Sequence, residues 1–200
     1  IDGWSSDRLF LEFFELYSAA IEGNGVELPS TVAWENAVNE ISLRDQRIIN
    51  LSVDNSEPIT SRTLLSKKNP FDTAAAPAYS DYTVQLGEEE KSTVLSLAVK
   101  YRSTVGFVLL SAWLKALSVI NAERQVGVGL VIGGRECLSA KTKNFVGPGL
   151  TTLPLSIKNI DNYNLGRLSK KLFSYIHHIQ LGEVYHDDDI EISKSLDVKV

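Results

Sequence analysis

A short apolar run between long helical patterns sets the fold class of this chain of 200 residues. The run, Val126 to Ile132, is apolar and β-branched, contains two glycines and ends at Gly133-Gly134. Its length and its internal glycines fit a central β-strand better than a helix. Because helical patterns precede and follow the run, it predicts a sheet covered by helices.

Three helical patterns surround this strand. Acidic residues open the first, Glu88 to Tyr101, at the end of a helix that favours negative charge. Thr104 can cap the second, Val105 to Ile120, whose apolar surface runs almost all round and predicts deep packing on more than one side. The third begins at Asn164 and places these apolar residues at helical spacing: Leu165, Leu168, Leu172, Ile176 and Ile179.

Shorter elements complete the expected fold. Leu150 to Ile157 predicts a strand, and Pro154, which has no N–H for a ladder, predicts that this strand lies at an edge or crossover. Tyr82 to Leu86 predicts another strand, Leu43 to Val53 one helical turn and one strand, and Asp188 to Leu196 a last short helix. The predicted fold class is an α/β sandwich of a sheet and covering helices.

An amphipathic helix is predicted near the start of the chain. Ser5 or Ser6 can act as its N-cap, Asp7 suits the first turn, and Gly23 supplies the end. One stripe of this helix is apolar and comprises Phe10, Phe13, Phe14, Tyr17 and Ile21.

The domain organisation follows from length and from one irregular segment. A chain of this size allows one or two domains. The segment from Lys67 to Pro77 has two prolines, small residues and no periodicity, which is typical of a linker or crossover. We therefore predict a boundary near residue 75, between packing units at 1–75 and 76–200.

Charge and cysteine content exclude several classes of function. The chain has 25 acidic and 20 basic residues, a formal net charge of −5 and no long basic run, so nucleic acid is not an expected partner. No window approaches the roughly 18 apolar residues of a membrane span, so a membrane is not expected either. Cys137 is the single cysteine, which excludes an intrachain disulfide and a multi-cysteine zinc site and indicates a reducing, cytoplasmic location.

The opening turn is a candidate for chemistry. Asp2-Gly3-Trp4-Ser5 directly precedes the first helix, so Gly3 can present a backbone amide to a ligand while Asp2 orients a neighbour. Asp-Gly is also an ordinary turn dipeptide, and spacing alone favours a capped turn without chemistry.

Other candidates have structural interpretations. Gly133-Gly134-Arg135 lacks the glycine spacing of a nucleotide-binding loop, so Arg135 is expected to pair with a carboxylate across the core. His177 and His178 are adjacent and point about 100° apart, which prevents them from chelating one metal ion. The polar run after His186 lacks the ligand spacing of a calcium loop. No metal site is predicted.

Four segments in one order carry a family resemblance: Ile1-Asp2-Gly3-Trp4-Ser5, Val32-Ala33-Trp34, Val126 to Arg135 and Val146 to Leu155. The first is similar to the end of a His-His-x-x-x-Asp-Gly signature, and the last to a Gly-x-Phe-x-Asn-Thr-Leu-Pro-Leu segment. Together they resemble the condensation domain of nonribosomal peptide synthetases, in the chloramphenicol-acetyltransferase-like superfamily. The resemblance implies a two-lobed pseudo-dimeric sandwich, with 1–75 ending the N-terminal lobe and crossover and 76–200 forming an incomplete C-terminal lobe.

The chain departs from the family pattern at several points. Gly149 and Thr151 replace the usual Phe and Asn, and the segment after His186 matches the family's His-Gln-Asp-x-Pro-Phe-Glu only loosely. Ile1 corresponds to the third variable residue of the signature, so both signature histidines, the catalytic one included, are expected ahead of Ile1. The lack of Met and of a signal-peptide pattern also predicts an excerpt from a longer polypeptide.

The resemblance implies an acyltransferase that joins a carrier-bound acyl or aminoacyl donor thioester to the amine of a carrier-bound acceptor. No cofactor is expected to bind directly, because both substrates travel on 4′-phosphopantetheine arms. The expected partners are the donor and acceptor carrier proteins and neighbouring synthetase domains. The resemblance assigns Asp2 and Gly3 to the catalytic loop, Trp4, Ser5, Thr151 and Thr152 to the substrate tunnel, and Arg135 to a structural role.

Two alternatives stay open at this point. An acyl-coenzyme-A-dependent acyltransferase of the same superfamily would share the signature, and a non-catalytic domain that recruits a carrier protein or another partner would share the fold. Adjoining carrier or adenylation domains would favour condensation. The order Trp4-Ser5 favours a condensation domain over an epimerisation domain.

Overall fold

The computed structural model describes residues 1–28, 34–52, 82–135, 138–139, 142–181, 183 and 187–192. Within these ranges the elements in chain order are α1 (Gly3–Glu22), α2 (Trp34–Ser52), α3 (Glu88–Tyr101), α4 (Val105–Asn121), β1 (Val126–Gly133), β2 (Leu150–Ile157), a 3-10 helix (Ile160–Asn162), α5 (Leu165–Gln180) and β3 (Ile190–Ile192). The predicted linker and the boundary near residue 75 lie outside the described residues, as do Val32, Ala33, Cys137 and His186.

The described strands form one antiparallel sheet in the order β1-β2-β3. β2 is therefore flanked on both sides and β1 lies at the outside of this sheet, the reverse of the predicted positions. β2 can contain a proline and still lie between two strands because β3 is short and pairs only with Leu155, Ser156 and Ile157. Pro154 lies just outside that doubly paired segment, opposite Gly129 of β1, so its missing N–H costs no bond to β3.

Helices α4 and α5 and the sheet enclose the main core. Its large buried side chains include Leu114 and Leu117 from α4, Leu168, Leu172 and Ile176 from α5, and Leu153, Leu155 and Ile157 from β2. Burying a side chain of this size stabilises the fold by roughly 2 kcal/mol. The predicted helical spacing of α5 and the strand at Leu150–Ile157 are confirmed, and so is the α/β class.

Helix α4 begins and ends as its sequence predicts but packs less completely. Thr104 caps it by accepting a hydrogen bond from Phe107 N, and the helix contacts α3, α5 and β1. A stripe that includes Trp113, Val119 and Ile120 is nevertheless exposed in the described structure, with Val119 at 80%. The prediction of deep burial is therefore wrong for this stripe, because the elements described here cover only the opposite face.

The apolar stripe of α1 is also exposed. Phe10, Phe13, Phe14 and Tyr17 each present more than half of their surface, and Phe13 stacks on Tyr17. The predicted end of the helix is confirmed, because Gly23 adopts a left-handed conformation with φ +70° and its N–H donates to the Ala19 carbonyl.

Three predicted short elements are wrong. Tyr82 to Leu86 is irregular, and no described strand pairs with it. Residues 43–52 of the segment predicted as a helical turn and a strand belong to the continuous helix α2, and Val53 lies outside the described residues. Within the described part of the predicted last helix, Ile190–Ile192 form β3 instead, because the edge of β2 offers them a pairing partner, and residues 193–196 lie outside the described residues.

A polar cluster holds the chain just before β3 against α5. Lys171 pairs with Asp187 at 3.0 Å and with Asp189 at 3.5 Å, and donates to the Tyr163 hydroxyl at 2.7 Å. Burial alone would lower the pKa of Lys171, but the hydrogen bonds to Tyr163 and Asp187 outweigh it and raise that pKa. Asp187 also accepts from the Ile190 N–H, which sets the entry of the chain into β3.

None of the helices in the described ranges has alone the length and hydropathy to cross a membrane. The bent pair α3 and α4, joined at 104°, meets that test by length and composition only.

Substitution of Gly166 by Ala tests the packing of α5. Gly166 is the second residue of that helix, and a Cβ there would overlap the Tyr101 ring. We expect Gly166→Ala to lower the free energy of unfolding by about 1–3 kcal/mol, because the ring is forced from its place. Gly106, the second residue of α4, is a matched control, since a Cβ there would meet Thr104 Oγ1 at an ordinary 3.7 Å. Equal urea midpoints for the two variants would contradict the prediction.

Candidate active site

Asp2 caps the N-terminus of α1. Asp2 has extended backbone angles, φ −91° and ψ 170°, and its Oδ1 accepts a hydrogen bond from Ser5 N at 2.9 Å. This is the geometry of an N-cap, so the predicted cap at Ser5 or Ser6 is wrong. The helix consequently begins at Gly3, and the turn predicted to carry chemistry is its first turn.

Asp2 forms a buried ion pair with Arg135, which lies 133 residues away in the sequence. Arg135 Nη2 donates to Asp2 Oδ1 at 2.9 Å and to Oδ2 at 3.0 Å. The side chain of Asp2 is only 5% exposed and that of Arg135 only 9%. Gly149 N donates to Asp2 Oδ2 at 2.9 Å. The carboxylate of Asp2 therefore joins the start of α1 to both Arg135 and Gly149.

Apart from Asp2 and the Ser5 hydroxyl, the acceptors of the Arg135 guanidinium are backbone carbonyls. Nη1 donates to the carbonyls of Lys143 and Phe145 at 3.0 and 2.8 Å, and Nη2 donates to the carbonyl of Gly147 at 2.8 Å. The face of the guanidinium lies 4.0 Å from the centre of the Phe145 ring. Its Nε has no hydrogen-bond partner among the described residues. Three carbonyls between residues 143 and 147 therefore bind the same cation.

The Ser5 side chain contacts Asp2, Arg135 and Gly147. Its hydroxyl is buried, accepts from Gly147 N at 3.0 Å and from Arg135 Nη2 at 2.9 Å, and lies 2.6 Å from Asp2 Oδ1 and 2.9 Å from the Gly147 carbonyl. A hydroxyl has one proton, so Ser5 can donate fully to only one of the latter two acceptors. Ser5 fixes the loop at Gly147 against the first turn of α1.

The hydrogen bonds control the ionisation of Asp2. Burial alone would raise the pKa of this carboxyl, but the hydrogen bonds from the Ser5 hydroxyl, the Ser5 and Gly149 N–H groups and Arg135 outweigh burial. They hold the pKa of Asp2 well below its usual range, so the carboxylate stays charged throughout the neutral range.

Gly149 allows the loop to approach the ion pair. A Cβ at Gly149 would lie 3.2 Å from Arg135 Cγ and Nε and 3.3 Å from Asp2 Oδ2. Both partners are held by other hydrogen bonds, so neither can give way easily. A larger side chain at this position would therefore push Asp2 and Arg135 apart.

A cavity of about 300 Å³ opens beside the ion pair. It is lined by Asp2, Gly3, Trp4, Gly133, Gly134, Arg135, Lys143, Gly149 and Leu150. The first N–H groups of a helix have no acceptor within the helix, and Gly3 and Trp4 carry two of them. Such donors at the positive end of a helix suit an oxygen atom that gains negative charge.

The structure brings together most, but not all, of the residues singled out in the sequence. Asp2, Gly3, Trp4 and Arg135 line the cavity, with Trp4 59% exposed, and Ser5 lies beneath them. Thr151 and Thr152 follow Leu150 along β2, opposite Ile132 and Val131, and do not line this cavity. Their role in a tunnel stays a prediction.

The two histidines of α5 have neighbours of their own. His177 stacks on Phe173, and His178 Nδ1 lies 2.5 Å from a carboxylate oxygen of Glu183. Neither histidine lines the cavity. The described ranges contain no group of three or more His, Cys, Asp and Glu side chains placed to hold a metal ion.

Lys143 lines the cavity but is not among the residues predicted from the sequence. Lys143 is one lysine in an irregular polar segment, and its carbonyl, rather than its side chain, binds Arg135. No side-chain pattern distinguishes a carbonyl that binds a cation, so the sequence held no signal for this contact.

Comparison with known proteins gives consistent matches. A family model described as Condensation domain matches residues 1–186. Subunits D and C of linear gramicidin synthase from Brevibacillus parabrevis are 24% identical over 163 residues and 26% identical over 171 residues. Each match covers 79% of this chain, which spans only 3% and 2% of those relatives.

A solved structure has the same fold. The epimerization domain from the third module of tyrocidine synthetase B matches with a TM-score of 0.59 and 17% identity, over 91% of this chain and 43% of that one. The fold is therefore the chloramphenicol-acetyltransferase-like sandwich predicted from the sequence, here as part of a larger domain.

Substitution of Asp2 by Asn tests the buried ion pair. Asn keeps the shape and the capping oxygen but removes the charge, and breaking such a pair costs about 3 kcal/mol at neutral pH. The pKa of Asp2 is lowered in the folded protein, so its stabilising effect is complete above the unfolded value of about 4 and is lost as pH falls below it. We expect the wild-type advantage in unfolding free energy over Asp2→Asn to stay constant from about pH 7 to 5 and to shrink below about pH 4.

Denaturant unfolding at a series of pH values measures this advantage. Asp161→Asn, which removes a carboxylate from a solvent-exposed pair with Arg124, serves as the control and should cost less than about 1 kcal/mol. A difference between wild type and Asp2→Asn that is unchanged down to about pH 2 would contradict the lowered pKa of Asp2.

Proposed function

The chain belongs to the condensation-domain family, and on this premise we propose that it takes part in forming a peptide bond between a thioester donor and an amine acceptor. The observation that carries the proposal is the Asp2–Arg135 pair, which holds Gly3 at the wall of a cavity of about 300 Å³. The resemblance assigns this Asp-Gly turn to the catalytic loop, and a buried pair of this kind keeps such a loop in one position.

In the proposed reaction the acceptor amine attacks the carbonyl carbon of the donor thioester. A C–N bond forms, the C–S bond breaks, and the thiol stays on the donor arm while the product stays on the acceptor arm. The amine loses a proton and the leaving sulfur gains one, so the reaction balances. The resemblance assigns to the second signature histidine, four positions before Asp2, the positioning or the deprotonation of the amine. The substrates arrive on 4′-phosphopantetheine arms, so the domain itself requires no bound cofactor.

The residues of this chain would position the reacting groups and supply a hydrogen-bond donor to the oxygen that gains negative charge. Asp2 and Arg135 hold the turn, and the Gly3 N–H lies at the end of α1 that favours an oxygen gaining negative charge. Trp4 and Ser5 belong to the same turn. Holding both reactants in one geometry can supply several kcal/mol of the barrier reduction.

The proposed partners are a donor carrier protein, an acceptor carrier protein and neighbouring synthetase domains. Relatives that carry this domain are much longer than the chain, as expected for a unit that works beside others. We also propose that Thr151 and Thr152 line the tunnel beyond the cavity, that the two lobes meet near residue 75, and that the reaction takes place in the cytoplasm.

Substitution of Gly3 by Val tests whether the cavity is the reacting centre. A Cβ at Gly3 meets no atom within 4 Å, so the folded protein can accept a side chain there. We expect Gly3→Val to leave the thermal midpoint close to that of wild type while lowering dipeptide formation by about 100-fold, because the valine methyl groups displace the reactants. The measurement is dipeptidyl transfer between two loaded carrier proteins, using the synthetase that contains this chain.

Gly106→Val is the control, since Gly106 also lies exposed in the first turn of a helix but remote from the cavity. Unchanged transfer in a folded Gly3→Val protein would remove the cavity from the reaction. Equal rates with an acyl-coenzyme A donor would instead favour the coenzyme-A-dependent transferases of the superfamily.

A further inference from the structure

One face of helix α2 contacts the loop that binds Arg135. Ala37 is completely buried and packs with Ile41 against Leu138 and Phe145. Ala37, Glu40 and Ile41 are three and four residues apart, so they share one face of the helix. We call the contacted loop, residues 138–139 and 142–145, the arginine-binding turn.

Glu40 supplies the polar part of this contact. Its Oε2 accepts hydrogen bonds from Ser139 N at 2.9 Å and from Thr142 Oγ1 at 2.6 Å, and its Oε1 accepts from Ser139 Oγ at 3.0 Å. Thr142 is buried. The hydrogen bond from Thr142, followed by that from Ser139 N, lowers the pKa of Glu40, so the side chain is charged at neutral pH. Three donors on one carboxylate fix the first half of the arginine-binding turn.

The second half of the same turn holds the guanidinium. Within the turn, Thr142 N and Lys143 N both donate to the Ser139 carbonyl, and Phe145 N donates to the Thr142 carbonyl. The carbonyls of Lys143 and Phe145 then accept from Arg135 Nη1. A displacement of Thr142 therefore moves two of the oxygen atoms that orient Arg135.

A second route from α2 reaches the same cation through packing. Phe145 is fully buried, belongs to the same apolar cluster as Ala37, and its ring lies 4.0 Å from the Arg135 guanidinium. Helix α2 thus acts on Arg135 through a carboxylate and through an aromatic ring. Contiguous contacts of this kind can carry coupling between remote positions, and the coupling has to be measured.

We propose that Glu40 is a positioning residue for the cavity, because it holds the arginine-binding turn in the place from which Arg135 fixes Asp2 and the start of α1. Glu40 does not line the cavity, so it acts through Thr142, the turn and Arg135. The effect on reaction rate rests on the proposed function, whereas the effect on the geometry of Asp2 does not.

Amide hydrogen exchange tests the geometric part directly. Gly147 N donates to Ser5 and Gly149 N donates to Asp2, so both amides report whether the site is closed. In Glu40→Gln, whose amide cannot accept from all three donors, we expect both to exchange at least about tenfold faster, the size set by a hydrogen bond to a charged group. Exchange in α5 should not change, which separates a local effect from a loss of global stability.

Glu35→Gln is the matched control. It removes the same charge from the same helix, in an exposed first turn away from the contacting face, and should leave the Gly147 and Gly149 amides as in wild type. Wild-type exchange at both amides in folded Glu40→Gln would overturn the proposal. Equal acceleration in Glu35→Gln would overturn it as well, since charge on α2 would then be the cause.

Thr142 provides a second test that does not depend on the folding of Glu40→Gln. Thr142→Val removes the hydroxyl at nearly constant size and should accelerate exchange at Gly147 and Gly149, whereas Thr142→Ser keeps the hydroxyl and should restore slow exchange. Failure of Thr142→Ser to restore it would mean that packing, not the hydrogen bond to Glu40, sets the turn, and would overturn the proposal. Acceleration in Glu40→Gln combined with Thr142→Val should not exceed that of the stronger single variant.

Dipeptide formation by the same variants gives the rate effect. We expect kcat to fall about tenfold in Glu40→Gln with an unchanged KM for the acceptor carrier protein, because Glu40 does not line the cavity. If the wild-type synthetase forms no dipeptide, the proposed function fails while the exchange experiment still decides the role of Glu40. Fast exchange with an unchanged kcat would overturn the effect on catalysis.

Discussion

The site depends on one guanidinium that has been taken out of water. A buried cation needs a charged partner and further acceptors, because desolvation costs more than a single contact returns. Arg135 obtains a carboxylate from Asp2 and three carbonyls from the loop that follows it. These acceptors come from two distant parts of the sequence, so the hydrogen bonds that satisfy the cation also bring the start of α1 onto the loop.

The same pairing explains why backbone groups dominate the site. Two N–H groups, from Ser5 and Gly149, converge on Asp2, and the Ser5 hydroxyl binds the backbone of Gly147. Backbone donors and acceptors have little rotational freedom, so they hold the ion pair without ordering long side chains. The Asp2 carboxylate is at once the cap of a helix and the counterion of Arg135, and one change at this position affects both.

The sequence predicted the elements whose signals are local, and failed where distant partners decide. The caps at Thr104 and Gly23 each depend on a few neighbouring residues and are confirmed. Pro154 was misjudged because its tolerance depends on the length of β3, which is distant in sequence. The cap at Asp2 is an exception, because its hydrogen bond from Ser5 N is local; it was missed since Ser5 and Ser6 are also favourable capping residues. Glu40 is one carboxylate among many until Thr142 lies opposite it.

The wall of the cavity is largely main chain. Four of its nine lining residues are glycines, Gly3, Gly133, Gly134 and Gly149. Substitution at a glycine can only add atoms, so single changes at these positions can narrow the space but none can widen it. Substitutions that enlarge the cavity must therefore fall on its other lining residues, such as Trp4 and Leu150. A scan that replaces side chains by alanine would likewise leave almost half of the wall untested, because at these four positions alanine is the larger residue.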